Sequence, residues 1–406
     1  FSDVRAREIY DDMKSFDPNT FYYPPKDFIF FSADAYGNLI IQQRLDAVSH
    51  LISGEEFTLI TTIDGLMDRL VPLDLIRKNC IHLSYDDTID VEELKTALVN
   101  SGFERTEQVE TAGQFAVRGG IIDIFPMTGD VPYRIELWDD VIDSIRSFDA
   151  LSQRTIENID DIVIYPASEY ILSQEEIARG IEKIREEASL REKTLRESFH
   201  TEEAHRLSVC INEFTERLSI SRTGVFLDSF MTYFYPETMT LPDYFPAEET
   251  IFFIDEPGRI EERVNTVETE FRESMINRIE GGYMLSGQTG VFCDTAEALA
   301  RLASVRTVLF TTLEQKLKHF KPKNNYYISM RNINPYNNSF ELLVHDLQRY
   351  KKEGWCVLIL CGSRSKAARL ADTLFHDYEL NAFVCEDPDH TPVPCLLYTS
   401  PSPRDS

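Results

Sequence analysis

Residues 115–149, FAVRGGIIDIFPMTGDVPYRIELWDDVIDSIRSFD, decide how the rest of the chain is read. Apolar and polar residues alternate here, interrupted at Gly119-Gly120, at Pro126 to Asp130 and at Asp139-Asp140, which spells strand, turn, strand, turn, strand. From Gln114 to about Tyr165 the pattern predicts a small β-rich domain. In VPYRIELW, strand parity sends Tyr133, Ile135 and Leu137 to one face, suited to a core, and Arg134, Glu136 and Trp138 to the other. In FAVRGG the same parity sets Arg118 opposite Phe115 and Val117, just before a glycine pair that permits a bulge or bend. Exposed tryptophan and arginine are among the side chains most enriched at binding hot spots. On the residues alone two readings stay open for the face bearing Arg118, Arg134 and Trp138, and one of them is a protein-docking surface. The competing reading packs Trp138 under a neighbouring helix and leaves the arginines to balance an acidic surface.

Working outward, residues 28–34 (FIFFSAD) and 57–63 (FTLITTI) have strand length and flank NLIIQQRLDAVSHLI, whose apolar residues fall at helical spacing. That alternation predicts an α/β layer with a parallel sheet. Asp64 is read as the cap of a short helix, GLMDRLV, closed by Pro72. Residues 89–100 form a predicted helix stopped at Ser101-Gly102, with Asp86, Asp87 and Asp90 read as carboxylates at its start rather than as metal ligands.

On the far side of the β-rich segment, Ser173 and Glu176 have capping-box spacing. They open a long charged helix with Ile177, Ile181, Ile184 and Ala188 on one stripe. A buried-type strand, Ile251 to Ile254, ends in Asp255-Glu256, and residues 305–310 (VRTVLF) suggest another strand. Asn and Pro residues between 324 and 339 read as a linker. Beyond it the segments 341–354, 355–361, 363–378 and 382–387 read helix, strand, helix, strand, the start of a further α/β domain.

At 406 residues the chain is long enough for several compact domains, and 43% hydrophobic residues can fill their cores. The 41 basic against 69 acidic residues give a net charge of -28, which disfavours autonomous binding to a phosphate backbone. No signal peptide or membrane span is read, and the expected location is the cytoplasm. Seven dispersed cysteines (Cys80, Cys210, Cys293, Cys356, Cys361, Cys385 and Cys395) read as reduced thiols, and the histidines show no metal-ligand spacing. Phe1 opens in mid-stream and the chain closes on CLLYTSPSPRDS, so the natural protein is expected to continue past both ends. Residues 395–406, similar to a translated sequencing adapter, are left out of the fold.

Chemistry has few candidates. IFFIDE has the form of the acidic motif that holds magnesium in nucleotide-hydrolysing helicase folds, but its partner, G-x4-G-K-[ST], is missing. Asp255 and Glu256 are accordingly read as a degenerate acidic motif at a strand end. No nucleophile elbow, Cys/His pair or carboxylate dyad is found, so no catalytic residue is assigned.

QFAVRGGIIDIFP, PYRIELWDDVIDSIRSFDALSQRTIE, IVIYPASEY and LPDYFPAEETIFFIDEPGRI together resemble the bacterial transcription-repair coupling factor family, with a more distant likeness to the excision-repair protein UvrB. The resemblance runs over essentially all of residues 1–390. It implies an α/β fold in which a degenerate RecA-like, helicase-type domain (1–83 and 167–333) is split by an inserted small α+β domain rich in antiparallel strands (84–166). A partial second α/β domain (340–390) follows. It further implies that the insertion binds UvrA through Arg118, Arg134 and Trp138, although other members carry Phe where Trp138 stands. A C-terminal domain of the longer protein would mask the same surface. ATP and magnesium are expected only for a downstream DNA translocase, and RNA polymerase and double-stranded DNA only as partners of that longer protein. Between Phe31 and Arg44 there is no room for the long aromatic hairpin of UvrB. The favoured expectation is a non-catalytic adaptor. The alternatives are an active UvrB-like ATP-dependent damage-verification protein, and a purely structural clamp holding the parent at rest.

Overall fold

The computed structural model describes residues 1–26, 38–220, 227–329, 336, 339–385 and 396–399. The strand read at 28–34 and half of the interval between Phe31 and Arg44 lie outside the described residues, as does part of the linker read at 324–339. The chain divides into two compact units, Phe1–Lys323 and Asn324–Ser406. Among the described residues no helix is long and apolar enough to cross a membrane.

The first unit opens with α1 (Asp3–Phe16), N-capped by Ser2, whose hydroxyl accepts from the Arg5 amide. Strand β1 (Thr20–Tyr23), helix α2 (Asn38–Ser53) and strand β2 (Thr58–Thr61) follow, and β1 pairs parallel with β2. This is the α/β layer that the alternating periodicities predict. The helix read after Asp64 is different. Helix α3 (Ile63–Leu66) is a single turn capped by Thr62, whose hydroxyl accepts from the Gly65 amide. Asp68 and Leu70, expected inside that helix, instead bridge to Phe292 and Met239. A short apolar run has no periodicity of its own to resist such tertiary pairing. Helix α4 (Leu73–Lys78) then leads to β3 (Ile81–Ser84).

The helix expected from residue 89 begins slightly later, as α5 (Val91–Asn100). Asp90 alone caps it, accepting from the Glu92 and Glu93 amides. Asp87 accepts from the Ser84 amide, and the Asp86 amide donates to the Ile142 carbonyl. Those two acids thus shape a turn against the sheet rather than a helix start.

A six-stranded sheet follows in the order β4 (Glu104–Arg105), β5 (Gln114–Arg118), β6 (Ile121–Phe125), β7 (Tyr133–Trp138), β8 (Val141–Phe148), β9 (Thr155–Ile159). Strands β5 to β9 form an antiparallel meander, as the turn signals predict. Strand β10 (Asp161–Ile164) returns to pair antiparallel with β3, so the chain enters and leaves this domain side by side. Its core is packed by Leu83, Leu94, Leu98, Phe115, Ile122, Ile124, Ile135, Ile142, Ile145 and Ile164, with Leu45 of α2 inserted among them. At about 1.5–3 kcal/mol for each fully buried large aliphatic or aromatic side chain, this one face suffices to fix the strand register.

Beyond it, α6 (Gln174–Glu197) carries the predicted capping box between Ser173 and Glu176 and buries Ile177, Ile181, Ile184 and Ala188. Helix α7 (Thr201–Ile220), which the sequence pattern did not assign, packs Ala204, Leu207 and Ile211 against that stripe. The short α8 (Met231–Phe234) sets the Phe234 ring where a Cβ on Gly180 would stand, so glycine is what lets it approach α6. Strand β11 (Phe252–Asp255) pairs parallel with β12 (Thr307–Phe310), with α9 (Pro257–Glu280) and α10 (Thr295–Ser304) between them in sequence. Among the described residues, β1–β2 and β11–β12 remain separate two-stranded sheets.

The exit from the sheet domain is anchored in a buried ionic cluster. Glu169 accepts from Arg44 Nε at 2.7 Å and pairs with Lys26 Nζ at 2.7 Å. Arg44 Nη1 reaches Asp68 at 2.9 Å and the Pro24 carbonyl at 2.8 Å, and its guanidinium lies over the Tyr23 ring. Lys26 also contacts Asp228 and the Tyr170 hydroxyl. Burial opposes ionisation of Glu169, but Arg44 and Lys26 outweigh it and hold the carboxyl down at about 2. At Asp68 burial prevails over the same two cations and pushes the carboxyl up to about 6.

The second unit contains α11 (Phe340–Lys352), β13 (Ile359–Cys361), α12 (Arg364–Tyr378) and β14 (Phe383–Cys385), in the predicted order. Strand β15 (Leu396–Thr399) pairs parallel with both strands and lies between them. The sequence reading leaves these residues out of the fold. LLYT is nevertheless a short apolar run of strand type, and it is recruited as one.

Candidate docking face

The two faces of the five-strand meander differ. One is the core just described. On the other, the β5–β6 connection is only Gly119-Gly120, with Gly119 in the left-handed region at φ +62°. A Cβ on Gly120 would come to 3.0 Å from the Leu137 carbonyl oxygen, which brings this turn against β7. Arg118 therefore ends β5 beside β6 and β7. A bulge opposite Glu136 and Leu137 shifts the β7–β8 pairing without disturbing the parity of β7. Tyr133, Ile135 and Leu137 face the core, and Trp138 stays on the side of Arg134.

The arginines do not stand free. Asp123, directly across from Arg134 in the β6–β7 register, accepts from Arg134 Nε at 2.7 Å and from Arg134 Nη2 at 2.9 Å. Its second oxygen also accepts from Arg118 Nη2 at 2.5 Å. The carboxylate is wholly covered, while the side chain of Arg134 keeps 19% exposure and that of Arg118 46%. Arg134 further donates to Gln153 Oε1 at 2.8 Å and lies 4.4 Å over the Phe148 ring. The Asp123 hydrogen bonds raise the Arg134 pKa above its ordinary value. On the same face Arg146 pairs with Glu136, which also accepts from the Ser144 hydroxyl.

Trp138 is 80% exposed, so it is not packed under a helix. Leu151, on the β8–β9 turn that supplies Gln153, is also exposed. The structure thus brings Arg118 and Arg134 together on one carboxylate and sets Trp138 on the same face. Sequence reasoning missed Asp123, Gln153 and Phe148. Parity alone puts Asp123 on the arginine face between buried Ile122 and Ile124. Which strand it meets depends on register, and Gln153 depends on the fold of a turn.

Asp255 and Glu256 are engaged otherwise. Asp255 accepts from Arg5 Nε at 3.1 Å. Glu256 sits at φ +52° and accepts from the Thr312 amide at 2.9 Å and from the Thr312 hydroxyl. Both carboxylates are thus held by protein donors, Asp255 by an arginine and Glu256 by a loop. Among the described residues no group of three or more His, Cys, Asp or Glu is placed to hold a metal.

One face of the antiparallel sheet packs the domain core, and the other carries Arg118, Arg134 and Trp138 beside a small buried cluster of Val109, Ala116 and Phe148. Residues 81–170 match the family model of the UvrB interaction domain. Along its length the chain is similar to transcription-repair-coupling factors. It is 30% identical over 380 residues to that of Bacillus subtilis (strain 168), covering 93% of this chain and 32% of that protein. It is 28% identical over 364 residues to that of Staphylococcus epidermidis (strain ATCC 12228 / FDA PCI 1200), covering 88% and 30%. For Staphylococcus aureus (strain MRSA252) the identity is 28% over 354 residues, covering 86% and 29%. The chain spans about a third of the length of these curated relatives.

Proposed function

We propose that this chain is a UvrA-recruiting adaptor module of a transcription-repair coupling factor, the kind of protein that joins removal of a stalled RNA polymerase to nucleotide excision repair. One observation carries the reading: the exposed Trp138 and the paired Arg118 and Arg134 share the sheet face opposite the domain core, within the stretch that matches the UvrB interaction domain. An aromatic anchor flanked by arginines is the composition of a protein hot spot.

On this reading the α/β segments 1–83 and 167–333 are two parts of a degenerate RecA-like domain, split by 84–166, and 340–390 begins a further domain. The chain contributes docking and no hydrolysis. ATP, magnesium, double-stranded DNA and RNA polymerase belong to other modules of the longer protein, which acts in the cytoplasm. A C-terminal domain of that protein masks the docking face at rest.

The test is UvrA affinity of the whole 406-residue chain and of Arg118→Ala, Arg134→Ala and Trp138→Ala. Each truncation is expected to cost about 2 kcal/mol, roughly 30-fold in Kd. Wild-type affinity in all three variants overturns the assignment of the face.

A further inference from the structure

Resting on that reading, we infer that Asp123 is the positioning residue of the docking face, holding both guanidinium groups in the geometry that receives a carboxylate of the partner.

Asp123 is a wholly covered acid in an otherwise apolar strand, and the polar partners that the structure gives its carboxylate are Arg134 and Arg118. It occupies Nε and one Nη2 of Arg134 and one Nη2 of Arg118. That leaves Arg134 Nη1 and the remaining donors of Arg118 uncommitted to it, on a face where Arg118 is nearly half exposed. Long arginine side chains lose rotamer freedom on binding, and a bond made beforehand removes that cost from the binding step. The charge balance points the same way. Two arginines on one aspartate leave an excess of one positive charge, while the neighbouring Arg146–Glu136 pair is neutral. The spare positive charge belongs to the Arg118–Asp123–Arg134 group itself, with the exposed Asp139 and Asp140 lying past Trp138 at the β7–β8 turn, and a cation beside an exposed tryptophan suits a protein surface that offers a carboxylate next to an apolar pocket. Gln153 steadies Arg134 from the β8–β9 turn, which makes that turn part of the same device.

The experiment measures UvrA binding by the whole chain carrying Asp123→Asn, Arg134→Ala or both, with thermal unfolding followed in parallel. Asp123→Asn keeps the side-chain shape but removes the charge and the bidentate acceptor. It is expected to weaken binding about tenfold, and the double variant is expected to lose less than the sum of the two single losses, because only Arg118 is then left for Asp123 to hold. Losses that add, or wild-type binding by Asp123→Asn, overturn the inference. Should Asp123→Asn not fold, Asp123→Glu decides, since it keeps the charge and the forked acceptor but displaces both guanidinium groups by one methylene. A tenfold loss supports positioning by Asp123, and wild-type affinity overturns it. If Trp138→Ala loses binding while Asp123→Asn does not, only the positioning role fails. If Trp138→Ala, Arg118→Ala and Arg134→Ala all bind normally, the docking reading itself has failed.

Discussion

Two arginine–carboxylate clusters in this chain use the same chemistry in opposite settings. Around Arg44, two cations and the carboxylates of Asp68, Glu169 and Asp228 are drawn together where the sheet domain joins its flanks, with Arg44 and Asp68 fully covered. Around Asp123, a covered carboxylate is shared by two arginines that reach the surface. In the first cluster the ions face one another, with Arg44 Nη2 and Asp68 Oδ1 buried without a hydrogen-bond partner among the described residues, and removing one ion strands the rest in low dielectric. In the second, cation is in excess and faces outward. The difference teaches that an ion pair's role follows from where its spare valence points rather than from the pair itself.

The sharpest way to break this contrast is Arg44→Ala, which leaves Asp68 and Glu169 short of their shared partner. It is expected to cost about 3–5 kcal/mol in denaturant unfolding, while UvrA binding by the molecules that remain folded is unchanged. A loss below 1 kcal/mol would mean that the cluster is solvated after all.

Acid titration comes next. The Glu169 carboxyl is held at about 2 in the folded chain, below its ordinary 4.5, so its contribution is complete above pH 4.5 and is lost as pH falls toward 2. That contribution is roughly 3 kcal/mol by linkage. Glu169→Gln is therefore expected to be less stable than wild type by a constant margin above pH 5, and by a vanishing one near pH 2. Asp68 runs the other way, because its raised pKa means that ionisation costs stability as pH climbs from about 4 to 6. Asp68→Asn should accordingly be penalised less at pH 7 than at pH 4.

Trp138→Ala separates binding from stability. Its unfolding free energy is expected to stay within about 0.5 kcal/mol of wild type, because an exposed ring leaves no cavity, even as UvrA affinity falls. A larger shift would show that the ring packs in the folded chain. Arg118→Ala is expected to change unfolding by at most about 1 kcal/mol for a half-exposed pair, and by less at high salt.

Much of this was legible beforehand because it is local. The meander between Gln114 and Tyr165, the capping box at Ser173 and Glu176, and the helix–strand order of the second unit each follow from periodicity and turn chemistry within a few residues. Parity also placed Arg118, Arg134 and Trp138 on one face. The errors arose where the chain's own pattern was too short to decide. Thr62 rather than Asp64 caps the single turn of α3, and Asp86 and Asp87 serve a turn against β8.

The sequence by itself determined the alternation that makes a sheet with one apolar face. Only the tertiary structure decided that Asp123 lies across from Arg134, that Gln153 returns to it from a turn, and that Lys26, Arg44, Asp68 and Glu169 meet although up to 143 positions separate them. The physical reason is one of range. Side-chain parity is written into each strand's backbone, whereas the register between strands, and the partner of a buried charge, are chosen by the summed packing of a core that no single segment contains.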